Sequence, residues 1–448
     1  MKKLLVPLLA AVLLNGCAAR SEKYLVSGSV YPEMAPYPQP RDYIKLSGYH
    51  DDEAYHKVHD PWLADRKRQR DQPEGYAEVP KAYLSEEIAA FFANADNRNP
   101  VLAPVNTYIA LAMLAEVTGG TTQAEILSAV HTDSIDTLRN NAHAVWMANY
   151  CDDGALTSVM ASSLWLSDTL HYQADTIHTL TKNYFASVYQ GTMGEPDYDR
   201  ALQNWIDAQT GGLLQNESAS LRLDPLTVLA MVTTTEYQAQ WSVKFSPSAT
   251  EDGIFHGTDG DPECAYMKKS GDRSYYWSER FAAVGLPLRE SGTMWLLLPD
   301  AGVDAASLLA DGDGTTFLLS QGDTAKNKRV IVHLSLPKFD VTSDTALNDT
   351  WQTLGITSVF SESADFSPLL SNNDADFPAY ATLSQVQHAV RVAVDEDGVT
   401  AAAYTLEPVV GAAEPPDEEV DFVLDRPFVF GITSHDGLPL FVGVVDRP

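Results

Sequence analysis

The chain has 448 residues, 45% of them hydrophobic, enough for a sizeable core in one large domain or several average ones. Its 61 acidic residues outnumber 30 basic ones and give a net charge of −31. A polyanion releases no counterions from another polyanion, so the charge argues against nucleic acid as a partner.

Met1-Lys2-Lys3 followed by apolar Leu4 to Leu14 reads as a secretory signal, too short and wrongly flanked for a membrane span. Leu14-Asn15-Gly16-Cys17 resembles a bacterial lipobox. That resemblance implies a signal peptide over 1–16 and lipidation at Cys17. With Ala18 rather than aspartate next, it implies an outer-membrane or cell-surface location, tethered to the bacterial membrane by lipid. Cys151 and Cys264 are then two thiols in an oxidising compartment, and whether they pair is open, because sequence does not give the distance between them.

Residues 17–79 are rich in Tyr, Pro and charge without a sustained period, and read as a flexible tether. His50, His56 and His59 lie beside acids but match no zinc spacing, so no metal site is expected. Arg66, Lys67, Arg68 and Arg70 read as a solvated basic run. The globular part reads as beginning near residue 80. Its first helix is expected to be capped by Ser85, with Glu86 and Glu87 in the first turn and Ile88, Phe91 and Phe92 on the apolar face.

Ile109 to Leu114 read as part of a core helix, and strands are expected over 161–167, 228–241, 295–300 and 332–339. Asn204 to Gly212 reads as a helix with a glycine stop, and Leu223 to Thr227 as a turn. Near the C-terminus Val390, Val392 and Val394 alternate as in a half-buried strand, and Asp395 to Gly398 form a turn. Val399, Ala401, Ala403 and Thr405 then make a second alternating face of small or β-branched residues, although the chain runs on into the loop-like EPVVGAAEPPDEE. A stretch that suits both loop and strand is a candidate switch. No G-x-S-x-G elbow, H-E-x-x-H pair or Walker-type lysine is present, so no enzyme and no cofactor is expected.

Glu396-Asp397-Gly398, the run Ala401-Ala402-Ala403, Asp425 to Phe430 and Leu440 to Gly443 resemble, in order and spacing, the C-terminal signature of the serpins, inhibitors of serine proteases. The resemblance continues over 80–448. It implies an α+β fold, one domain with a large central mixed β-sheet, further sheets, surrounding helices and an exposed reactive loop over about 396–424. Glu396, Gly398, Val399, Thr400, Ala401, Ala402 and Ala403 correspond to the hinge of that loop. The family's counting from Glu396 places the scissile bond between Ala412 and Ala413, with Val410 and Gly411 as runner-up.

The family mechanism implied is acyl-enzyme trapping. A protease attacks the bait carbonyl, the cut loop inserts as a new central strand, and the enzyme is dragged away and distorted. Val409 to Ala412 offer only small side chains, which suit an elastase-like specificity pocket. By the same resemblance His388 is the histidine beneath the sheet in the shutter, Trp241 the tryptophan where the loop first enters, and Lys338 the partner of Glu396. The family's shutter serines and asparagine correspond to Ala103, Asn106 and Thr233, so the network at His388 must be built differently. Glu407 on the inserting face and Pro408, which has no N–H to donate, depart from an easily inserted strand. The alternative is a serpin-fold protein that binds a partner or is simply cut. In either case a monomer is expected.

Overall fold

The computed structural model describes residues 21–44, 50–95, 98–212, 214–219, 221–225, 227–370, 383, 386–399 and 416–448. In chain order the strands are β1 (Leu25–Ser27), β2 (Val101–Leu102), β3 (Cys151–Asp152), β4 (Leu156–Ser167), β5 (Ala186–Gly191), β6 (Leu229–Gln240), β7 (Thr250–Ile254), β8 (Glu263–Trp277) and β9 (Phe281–Pro287). They continue as β10 (Thr293–Pro299), β11 (Lys326–Pro337), β12 (Phe339–Ala346), β13 (Gln387–Val394), β14 (Gly398–Val399), β15 (Glu419–Val423), β16 (Phe428–Thr433) and β17 (Pro439–Val445).

Among the described residues these strands form two large sheets. The first runs β1-β5-β4-β6-β14-β13-β12, with β3 attached to β4, and mixes parallel and antiparallel pairs. The second runs β15-β11-β8-β9-β10-β16-β17-β2, with β7 attached to β8. The helix Pro104–Val117 is buried along its whole length and touches both β6 and β17, so it fills the space between the sheets. Apolar residues cover every face of it, as a helix with no solvent face requires, and its buried polar residues are Asn106, Thr107 and Glu116. Proline stands at its first turn, where a missing N–H costs nothing.

The first domain helix begins at Lys81, not at Ser85. Tyr83 and Leu84 extend the apolar face by a turn, and Ser85 lies inside the helix. Glu87 is buried rather than facing the helix dipole from solvent. Its carboxylate takes hydrogen bonds from the Tyr83 and Thr107 hydroxyls (2.6 Å each) and more distantly from the Trp351 indole (3.3 Å). Burial is the largest influence and raises its pKa to about 7.

The flexible-tether reading of residues 17–79 is corrected where the structure describes them. Asp52–Arg70 form a helix that packs on the helix Ile135–Asn149, and β1 pairs antiparallel with β5 at the edge of the first sheet. Trp62, Arg66 and Gln69 are its buried residues, at the spacing of one helix face. Two of the three are polar, so no hydrophobic period marks the helix in the sequence.

The basic run is likewise not all solvated. Arg66 is buried and donates to the carbonyl of Glu290 (2.7 Å), and Arg70 donates to the same oxygen (3.2 Å). The Trp62 indole donates to Asp153 (2.9 Å), and Tyr31 lies against Trp146 and Tyr150. His50 pairs with Asp52, and His56 and His59 with Asp60. Cys151 and Cys264 are both free thiols. Residues 1–20, with the signal and lipobox readings, lie outside the described residues.

Candidate functional site

The alternation of Val390, Val392 and Val394 produces the expected strand, with all three side chains buried in β13. The chain then reverses at Asp395, whose carboxylate accepts from the N–H groups of Asp397 (2.9 Å) and Gly398 (3.2 Å). Aspartate closes turns in this way because its short side chain reaches its own backbone two residues on. Gly398 is required by close approach: a Cβ there would collide with the carbonyl oxygen of Ala239.

Past the turn, Gly398 and Val399 enter the sheet between its two halves. Val399 pairs with Val394 of β13 on one side and with Ala239 of β6 on the other. At the opposite end β13 and β6 pair directly and in parallel, Gln387 with Val232 and His388 with Thr233. Among the described residues, Thr234 to Gln238 of β6 and Ala389 to Ala393 of β13 have no pairing with each other. The sheet is therefore closed at one end, wedged at the other by the first residues of the loop, and open in between. The hydroxyls of Thr234 and Thr235 are buried on this stretch without a hydrogen-bond partner. A cavity of about 330 Å³ lies beside the closed end, lined by Ile206, Leu221, Met231, Thr233, Asp344 and Ala389 among others.

The wedge is held by a dense set of bonds. Lys338 Nζ meets Glu396 at 2.8 Å, and the Thr250 hydroxyl donates to the same carboxylate at 2.8 Å. Burial pushes Glu396 up, but the bonds from Lys338, from its own backbone and from Thr250 outweigh it and hold the carboxyl below its ordinary value. The Trp241 indole donates to the Asp395 carbonyl (2.8 Å), and the Trp241 backbone N–H to Asp397 (3.1 Å). Lys244 pairs with Asp397 (2.6 Å), and the Phe245 N–H donates to the Glu396 carbonyl (3.0 Å). Sequence reasoning found Trp241, Lys338 and Glu396. It missed Lys244, Phe245 and Thr250, whose contacts depend on a fold-back that no local pattern encodes.

At the closed end His388 is buried, and its Nε2 accepts from the Ala103 N–H at 3.0 Å. Among the described residues its Nδ1 has no partner, and neither has the buried Oδ1 of Asn106. Burial lowers the His388 pKa to about 4, so the ring is neutral. With Nε2 accepting, Nδ1 carries the proton.

The rest of the hinge (Thr400, Ala401, Ala402, Ala403), Glu407, Pro408, and the bait residues Val410, Gly411, Ala412 and Ala413 lie outside the described residues. The chain is next described from Pro416 and enters the second sheet as β15, parallel to β11. The loop is therefore anchored in one sheet at Val399 and in the other at Glu419.

A family profile described as Serpin (serine protease inhibitor) matches residues 84–448. The chain is a serpin. Serpins are in general protease inhibitors rather than enzymes. Relatives of this serpin include Serpin-ZX of Arabidopsis thaliana, 24% identical over 365 residues, covering 79% of this chain and 93% of the relative. The leukocyte elastase inhibitor of Sus scrofa is 26% identical over 361 residues, covering 78% and 93%.

Among solved structures, the thermophilic serpin tengpin in its native state superposes with a TM-score of 0.72 at 22% identity, covering 84% of this serpin and 95% of tengpin. AtSerpin1 of Arabidopsis in its native stressed conformation gives 0.71 at 23%, covering 84% and 99%. Thyroxine-binding globulin in complex with thyroxine gives 0.70 at 20%, covering 85% and 99%. These likenesses fix the α+β serpin fold. The plant and animal relatives lend no support to the bacterial lipoprotein part of the sequence reading.

Proposed function

We propose that this serpin traps serine proteases of small-residue specificity, elastase-like in their pocket, by insertion of its reactive loop. The observation that carries the proposal is the position of Val399, already paired on both sides with β13 and β6 ahead of an unpaired stretch of sheet. The serine nucleophile attacks the carbonyl carbon of Ala412, the bond to Ala413 breaks, and the amine of Ala413 leaves with a proton. The acylated loop is then free to lengthen the strand that begins at Val399. Roughly fourteen residues at about 3.3 Å each carry the attached enzyme some 45 Å. Burial of Ala401 and Ala403 on the inner face and new ladder hydrogen bonds along β6 and β13 favour that movement, and the protease loses its catalytic geometry.

Small side chains from Val409 to Ala412 support the elastase-like choice, as does the porcine relative named for leukocyte elastase. We further propose that Cys17 carries a lipid that holds this monomer at a bacterial surface. A Cys17→Ser variant that still fractionates with membranes and retains a lipid mass would end that part of the reading.

The test of the main proposal is incubation with pancreatic elastase, read on a denaturing gel and by mass spectrometry of the released peptide. The expected result is a denaturant-resistant complex and a peptide beginning at Ala413. A peptide beginning at Gly411 moves the bait to Val410. Cleavage without complex, by every protease that cuts the loop, supports the second reading, a non-inhibitory binding protein or substrate. Glu407 and Pro408 are the residues that favour that reading.

A further inference from the structure

Beside the wedge, on the far side of Trp241, lies a second cavity of about 430 Å³. β8, β9 and the start of β10 enclose it together with the Trp241–Phe245 segment, and its apolar walls include Trp241, Phe245, Leu286 and Trp295, all buried. Gly271 and Gly285 help to keep it open. A Cβ at Gly285 would stand 3.0 Å from the Trp295 ring, whereas one at Gly271 would meet only Arg273, at 3.6 Å from Nη2.

Among the described residues Arg273 lines this cavity without a hydrogen-bond or ion-pair partner, and its Nε is buried and unsatisfied. The cavity lining holds one carboxylate, Asp272, and both its oxygens are taken by Arg329 of the neighbouring strand at 3.0 and 2.7 Å. The other cation in the lining, Lys269, spends its ammonium on the carbonyls of Val243 and Lys244 and lies over the Phe245 ring. Arg273 is thus an uncompensated guanidinium in a chain with 61 acidic residues, and burial alone lowers its pKa. Arg273 is half-buried with its Nε fully enclosed, leaving such a group unpaired carries a desolvation cost, and a merely structural arginine would be expected to face a carboxylate or carbonyl.

We propose that this cavity is a binding site for a small aromatic carboxylate. The Arg273 guanidinium forks the carboxylate through two parallel N–H···O bonds, and the ring lies against the Trp241–Trp295 wall. The volume falls in the range of small-molecule sites, and few donors converging on an aromatic slot suit one planar anion better than a phosphate group, which needs donors on several sides. The site shares Trp241 with the loop wedge but needs none of the loop's chemistry, so it stands or falls independently of protease trapping.

The experiment titrates the full-length serpin with naphthalene-2-carboxylate and, separately, with the neutral naphthalene-2-methanol. Binding is followed by tryptophan fluorescence and by calorimetry. Arg273→Gln is expected to weaken the carboxylate about tenfold or more and to change the alcohol by less than about threefold, because only the anion uses the fork. Arg273→Lys should recover part of the loss. Gly271→Leu, which fills the cavity while keeping the guanidinium, should abolish saturable binding of both probes, and it remains informative if the arginine variants fold poorly. Equal carboxylate affinity in the wild type and Arg273→Gln, binding that survives Gly271→Leu, or no saturable binding of naphthalene-2-carboxylate at millimolar concentration each overturns the proposal.

Discussion

Val399 stands directly opposite Ala239 in an antiparallel pair, although among the described residues β6 and β13, which flank Val399, pair with each other only at their far end. One loop residue thus props open the sheet it is proposed to complete. In the proposed mechanism every step after acylation depends on the next residues following Val399 inward.

Ala401 is two residues beyond Val399, so in an inserted strand it would fall on the same face. Ala401→Glu would bury a carboxylate with no partner, at a cost of several kcal/mol against insertion. The variant should be cut by elastase and released, with the covalent complex reduced at least about tenfold relative to parent. Equal trapping by both proteins would remove insertion from the mechanism.

Ala412→Arg should redirect the inhibitor. Between Gly398 and Arg426 the chain has no Lys or Arg, so trypsin has no bait in the parent loop. An arginine matched to an acidic specificity pocket is worth several kcal/mol in acylation. Stable complex should appear with trypsin and fall with elastase. If trypsin cuts the variant after residue 412 yet no complex accumulates, the bait position is right and trapping is wrong.

The Lys338–Glu396 pair is partly screened, with Lys338 40% and Glu396 16% exposed, so its coupling should be about 1 kcal/mol or less. A double-mutant cycle with Lys338→Ala and Glu396→Ala in urea unfolding measures it. Glu396→Ala should be the more costly single change, because it also releases Thr250. Strictly additive single effects would show that the pair is incidental.

His388 makes stability depend on pH. Its folded pKa of about 4 lies below its ordinary 6.5, so the unfolded chain takes up a proton first as pH falls. This contribution is fully present above pH 6.5 and is lost as pH drops towards 4, by about 3 kcal/mol. Urea unfolding of the wild type and His388→Asn at several pH values should show the wild type's advantage shrinking across that window. A gap independent of pH would mean that His388 is not buried neutral.

Trp62 tests the docked N-terminal segment. Trp62→Ala removes a buried indole and its bond to Asp153, at a cost of about 3 kcal/mol or more if the site does not collapse. Tryptic cleavage at Lys57 and Arg68 should be slow in the parent and fast in the variant. A segment cut equally fast in both would be the tether that composition suggests.

The sequence by itself determined β13 and the Asp395–Gly398 turn, because alternation and turn chemistry act over a few neighbouring residues. It also placed His388, Trp241 and the Lys338–Glu396 pair, through spacing shared with a family. Only the tertiary structure decided that Val399 is already seated between β6 and β13, since that depends on residues about 160 positions apart meeting across a sheet. The same holds for the helix Asp52–Arg70, whose buried stripe is Trp62, Arg66 and Gln69. Glu87 and Arg66 each look like surface charge in the sequence, and both are buried. Their burial is set by what packs over them, and hydropathy patterns register apolar residues that seek the core, not polar ones enclosed by distant segments.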